Sequence, residues 1–92
     1  MVECRVEIVN RLGLHARAAA KLVRAATEYE SSIRLARGDG GASADAKSIL
    51  SVLMLAASRG TELIITADGR DERAALDALC SLISGGFGEA EV

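Results

Sequence analysis

The run Gly13-Leu14-His15-Ala16-Arg17-Ala18-Ala19-Ala20-Lys21 marks the place where the chain changes its period. Upstream, from Val2 to Val9, the residues Val2, Cys4, Val6 and Ile8 alternate with Glu3, Arg5 and Glu7, the period of two of a half-buried strand. Downstream, from about Ala16 to Glu28, Ala19, Leu22, Val23 and Ala26 recur at the spacing of one buried helical stripe. The only histidine of the chain, His15, stands at the junction. Its imidazole is therefore predicted at a helix mouth, where backbone N–H groups lack intrahelical partners and the helix dipole presents its positive end. An anion held on the ring would meet ready donors there.

Working outward, Ser32 to Arg37 alternates again through Ile33 and Leu35, and Gly38-Asp39-Gly40-Gly41 carries hairpin chemistry, since Asp-Gly accepts the positive φ of tight turns. A short returning arm, about Ala42 to Asp45, leads into an apolar helix from Ser48 to roughly Ala57, capped by Ser48 and ended by Gly60. Thr61 to Ala67 puts Leu63, Ile65 and Ala67 on one side of a strand, and Asp68-Gly69 closes it. Asp71 reads as the N-cap of a last helix with a buried stripe of Ala75, Leu76, Leu79, Leu82 and Ile83, and Gly85-Gly86 as its stop. The order is strand, helix, strand, strand, helix, strand, helix (βαββαβα). It predicts an α+β fold, a four-stranded sheet with its helices on one face, formed by residues 1–92 as one domain.

Composition narrows the function. The formal net charge is −2, which argues against a protein that draws its affinity from attraction to nucleic-acid phosphates. Tyr29 and Phe87 are the only aromatics, too few for a base-stacking platform. No segment approaches a membrane-spanning length. Cys4 and Cys80 lack CxxC spacing and read as isolated thiols serving as small hydrophobes, which makes a reducing cytoplasm the expected compartment. One histidine and two distant cysteines fall short of a zinc ligand set, and no metal or cofactor is expected.

His15, alone at a helix mouth and followed at two residues by Arg17, has the makings of a phosphoryl relay. A neutral imidazole nitrogen is a competent nucleophile, and the positive helix end favours the neutral ring. Arg17 can hold the transferred group through charge-assisted hydrogen bonds. Arg17, Lys21 and Arg24, spaced by four and three, form a basic stripe leading away from His15, suited to steering an acidic partner onto the site. In the second helix Val52 and Leu55 are expected in the core. Ile49, Leu50, Leu53 and Met54 would then form an exposed patch of the kind that marks partner surfaces.

The segments Leu12-Gly13-Leu14-His15-Ala16-Arg17, Ala46-Lys47-Ser48-Ile49-Leu50, Gly60-Thr61-Glu62-Leu63 and Gly86-Phe87-Gly88-Glu89 give the chain a resemblance, over nearly its whole length, to the HPr family of histidine-containing phosphocarriers. The resemblance implies an open-faced β-sandwich with sheet order 1-4-2-3 and three helices on one side. It also implies a carrier, not an enzyme in the usual sense, that accepts a phosphoryl group on Nδ1 of His15 from enzyme I and passes it to an enzyme IIA. Arg17 and the Ala16 backbone N–H would assist. Ser48 matches the family's regulatory serine, the target of the HPr kinase/phosphorylase where that enzyme exists. Ala18 stands where the family usually has proline, a change the first turn of a helix tolerates. Asn10-Arg11-Leu12-Gly13 and Leu53-Met54-Leu55 look somewhat like the nitrogen-related branch, which signals by phosphorylation state without sugar transport. Nothing demands more than a monomer.

Overall fold

The computed structural model describes residues 1–89. Its elements are β1 (Val2–Glu7), α1 (Ala16–Thr27), β2 (Ser32–Arg37), β3 (Ser43–Asp45), α2 (Ile49–Met54), β4 (Glu62–Asp68) and α3 (Glu72–Ser84), followed by a 3₁₀ turn at Gly86–Gly88. The strands form one antiparallel sheet in the order β1-β4-β2-β3. All three helices lie on one face, giving the open-faced α+β sandwich expected from the sequence. No helix among the described residues is long and apolar enough to cross a membrane.

The register follows the pleat. Leu63, Ile65 and Ala67 of β4 point toward the helices together with Ile33 and Leu35 of β2, and all five are inaccessible to solvent. Helix α1 answers with Ala18, Ala19, Leu22 and Ala26, and α3 with Ala75, Leu76, Leu79 and Ile83. The many alanines let helices and sheet approach closely. Leu82 is only half buried, at the margin of the stripe predicted for it.

Three local readings are corrected. Helix α2 has six residues and stops at Met54, because Ala56 turns to φ 51° and sends the chain back toward the loop before α1. Asp71 precedes α3 without capping it. Its carboxylate instead accepts from the N–H groups of Glu30 (2.9 Å) and Ser31 (3.0 Å) and from the Ser31 hydroxyl, tying the start of α3 to the α1–β2 junction. The N–H of Gly69 donates to Glu72 Oε1 at 3.1 Å, closing the turn that leads into α3. Finally, Cys4 on β1 and Cys80 on α3 are joined by a disulfide, with Cα atoms 7.3 Å apart. Seventy-six residues separate the two in sequence, and only the packing of α3 on the edge strand brings them together. They are not isolated thiols, so they give no ground for inferring a reducing compartment.

Candidate functional site

The loop from Asn10 to Leu14 lies on the segment that follows α2. Gly13 has φ 66°, and a Cβ there would come within 2.7 Å of the Ala57 carbonyl oxygen and 2.8 Å of Ser58 Cα. Only glycine permits so close a backbone approach. Leu14 donates its N–H to that same Ala57 oxygen at 2.9 Å. The supporting segment is held in turn by Arg37, whose Nη1 donates to the carbonyls of Leu55 (2.9 Å) and Ala56 (3.3 Å) while Asp39 pairs with its guanidinium.

His15 then caps α1 in extended conformation (φ −73°, ψ 175°). Its carbonyl accepts the Ala19 N–H at 2.9 Å, and its ring Nδ1 accepts the Arg17 N–H at 3.2 Å. The imidazole thus does what a Ser or Asp side chain does at most helix starts, satisfying a donor that has no partner within the helix. Its other nitrogen, Nε2, lies 2.5 Å from Oε2 of Glu89, and about a quarter of each side chain remains accessible.

Glu89 is delivered by the 3₁₀ turn. Phe87 sits in the turn with φ 59°, a left-handed conformation that costs a non-glycine residue about 1–2 kcal/mol. Its side chain is buried, which stabilises by about 2–3 kcal/mol and outweighs that cost. Lys21 Nζ donates to the Phe87 carbonyl at 2.8 Å and fastens the turn to α1. The second carboxylate oxygen of Glu89 accepts from Asn10 Nδ2 at 2.8 Å. Hydrogen bonds from Asn10 first, and from His15 second, hold the Glu89 carboxyl below the usual carboxylate range. These partners assign the tautomer. A ring nitrogen that accepts an N–H must carry a lone pair, and a ring nitrogen facing a carboxylate carries the proton, so Nδ1 is the free base and Nε2 is protonated.

The remaining sequence-predicted residues divide. Arg17 and Arg24 are exposed on α1. Lys21, read as part of their stripe, is half buried and donates to the Phe87 carbonyl, so it fastens the turn as well as carrying a positive charge. The Arg17 N–H, not that of Ala16, reaches the ring. Ala18 is fully buried in the first turn of α1. On α2, Ile49, Leu50 and Met54 are exposed, the last two by 71% and 78%. Leu53 does not join them: it is half buried and packs against the core, because a six-residue helix turns this position toward the body of the protein. Ser48 caps α2 through Oγ, which accepts the Ser51 N–H at 3.4 Å.

Residues 2–85 match the family model described as "PTS HPr component phosphorylation site". The chain belongs to the HPr phosphocarrier family. Among its relatives, the phosphocarrier protein HPr of Cupriavidus necator is 46% identical over 91 residues, covering 99% of this chain and 100% of the relative. The phosphocarrier protein NPr of Shewanella violacea is 44% identical over 89 residues, 97% of this chain and 96% of that one. The crystal structure of HPr-C-His from Thermoanaerobacter tengcongensis superimposes with a TM-score of 0.92 at 38% identity, over 99% of this chain and 100% of that one.

Two members of this candidate site were not singled out from the sequence. Asn10 and Glu89 lie 5 and 74 residues from His15, and only the closed fold shows that they converge on its ring. A faint signal existed for Glu89: it ends the Gly86-Phe87-Gly88-Glu89 segment, whose glycines promise a tight turn.

Proposed function

We propose that this HPr-family chain carries a phosphoryl group on Nδ1 of His15, from phospho-enzyme I of the phosphoenolpyruvate-dependent sugar phosphotransferase system to an enzyme IIA. The observation that supports this most is the division between the two ring nitrogens. The lone pair is on Nδ1 at the helix mouth, and the proton is on Nε2 against Glu89. In the forward step the Nδ1 lone pair forms a bond to phosphorus. The N–P bond of the donor's phosphohistidine breaks, and its electron pair returns to the donor ring. The Nε2 proton stays where it is, and the positive charge that the phosphorylated imidazole acquires is offset by the Glu89 carboxylate. The Arg17 N–H, freed from Nδ1, the Ala16 N–H and the Arg17 guanidinium would receive the phosphoryl oxygens. Helix-end contributions of about 1 kcal/mol each hold the group without trapping it, which a carrier requires. The reverse displacement by an enzyme IIA nucleophile returns His15 unchanged, so the chain is a shuttle and not itself a turnover catalyst.

The exposed Ile49, Leu50 and Met54 of α2, together with the exposed Arg17 and Arg24 of α1, which packs against α2, supply apolar and basic surface on which both partners could dock in turn. A phosphate placed on Ser48 by an HPr kinase/phosphorylase would set up to about two negative charges beside that surface and oppose docking by an acidic partner. Exchange with such partners implies a cytoplasmic monomer. A second reading, the nitrogen-related branch, is favoured by relatives named NPr and differs only in the acceptor.

The test is incubation with phosphoenolpyruvate and enzyme I. It should yield an acid-labile, base-stable phosphoprotein, with label lost in His15→Ala and retained in Ser48→Ala. Label persisting in His15→Ala would overturn the assignment. Discharge to a sugar-specific enzyme IIA, against discharge to a nitrogen-branch one, separates the two branches.

A further inference from the structure

We propose that Asn10 is a positioning residue that fixes which ring nitrogen of His15 is the nucleophile, acting through Glu89. The proposal rests on the phosphocarrier reading above and names a part of that site.

Asn10 is only 2% exposed. Its Nδ2 group has two protons, and the structure uses both: one goes to the Gly13 carbonyl at 2.8 Å and the other to Glu89 Oε1 at 2.8 Å. The Gly13 carbonyl also accepts the His15 N–H at 2.9 Å, and Glu89 meets the His15 ring. One amide therefore joins the two supports of the same histidine, one beneath its backbone and one against its imidazole. Meanwhile Asn10 Oδ1 is buried without a partner among the described residues. A buried orphan carbonyl is tolerated only where the groups beside it gain more than it loses. The reversed amide is excluded chemically, since it would aim Oδ1 at two acceptors, the Gly13 carbonyl and the Glu89 carboxylate.

The consequence is directional. Glu89 ends a 3₁₀ turn and has no strand or helix of its own to hold its side chain. Asn10 is what keeps one carboxylate oxygen occupied so that the other stays on Nε2. Without that anchor the carboxylate can swing away, and the ring can place its proton on Nδ1, where it would oppose the Arg17 N–H and leave no lone pair for phosphorus.

The test reads the tautomer directly, by ¹⁵N NMR of histidine-labelled protein in the unphosphorylated state, with the initial rate of phosphorylation by enzyme I and the melting temperature measured alongside. The wild-type ring should be a single Nε2–H tautomer. Asn10→Asp keeps the shape but replaces the donor with an acceptor. It should give a mixed ring and slow phosphorylation on the order of 10-fold. Asn10→Ala, which removes the donor without adding charge, should also mix the tautomers. The double variant Asn10→Asp/Glu89→Gln reverses the polarity of the link: the amide at 89 donates to the carboxylate at 10, and its carbonyl keeps the Nε2 proton. It should shift the ring back toward the single Nε2–H tautomer, while phosphorylation stays slow because no carboxylate at 89 offsets the charge of the phosphorylated ring and the carboxylate at 10 still faces the Gly13 carbonyl. A wild-type tautomer in Asn10→Asp and Asn10→Ala, or a double variant whose ring is as mixed as that of Asn10→Asp, would overturn the proposal. Should wild-type protein not be phosphorylated at all, the carrier reading fails, while the tautomer populations still decide the role of Asn10.

Discussion

Nε2 of His15 and Oε2 of Glu89 stand 2.5 Å apart although 74 residues separate them in the chain. The contact joins the first turn of the first helix to the segment that follows the last one. It makes the chemistry of the ring depend on how the 3₁₀ turn before Glu89 is seated, and Phe87 is what seats it.

Phe87→Ala should therefore do two things at once. Removing a buried phenyl ring from a closed core costs about 3–5 kcal/mol, which for a domain of this size lowers the melting temperature by more than about 10 °C. Release of the turn should also slow phosphorylation of the fraction that remains folded, measured well below the melting point. A variant that melts early yet is phosphorylated at the wild-type rate would mean that Glu89 reaches His15 without Phe87.

Lys21 and Arg24 lie on the same helix but have different work, and ionic strength separates them. Arg24→Glu should slow phosphorylation at low salt, with the deficit shrinking as salt rises and the Debye length falls below about 10 Å. Lys21→Ala should give a deficit that salt relieves only in part, because its amine also holds the Phe87 carbonyl. Equal salt dependence for the two would return Lys21 to the steering stripe.

Asp71 should shape the stability of the protein in acid. The Ser31 hydroxyl and then the Glu30 N–H hold its carboxyl below the usual carboxylate range. A depressed carboxylate contributes stability that is complete above its unfolded value, about 3.9, and is lost as pH falls through the lower folded value. Chemical denaturation of the wild type should show stability declining as pH drops through and below about 4. Asp71→Asn should be less stable at neutral pH, with a shallower decline. An unchanged acid limb would show that the tether to Ser31 does not depend on charge.

Much of this was legible in the sequence because it is local. Period two over Val2 to Val9, the Asp39-Gly40 turn and the stripe Leu22 to Ala26 each announce an element within a dozen residues. His15 and Arg17 are found by position at a helix start, and Ser48 by its capping chemistry. What escaped depends on closure. Asn10 and Glu89 are ordinary polar residues until the 3₁₀ turn brings them together, and Lys21 belongs to a basic stripe until the Phe87 carbonyl claims it. Asp71 has the residue type of a cap, but the turn between α1 and β2 offered three donors and took it. Leu53 went wrong for a related reason: the phase of a six-residue helix is set by where the chain must go next, toward the backbone beneath Gly13.

The claim on which the account turns is that Nδ1 of His15 is the atom that bears the phosphoryl group. Combined ¹⁵N and ³¹P NMR on histidine-labelled protein, phosphorylated by enzyme I and phosphoenolpyruvate, tests it most directly. The account predicts coupling of phosphorus to Nδ1 with the proton retained on Nε2. Phosphorus bonded to Nε2, to Ser48 or to no residue of the chain would contradict it.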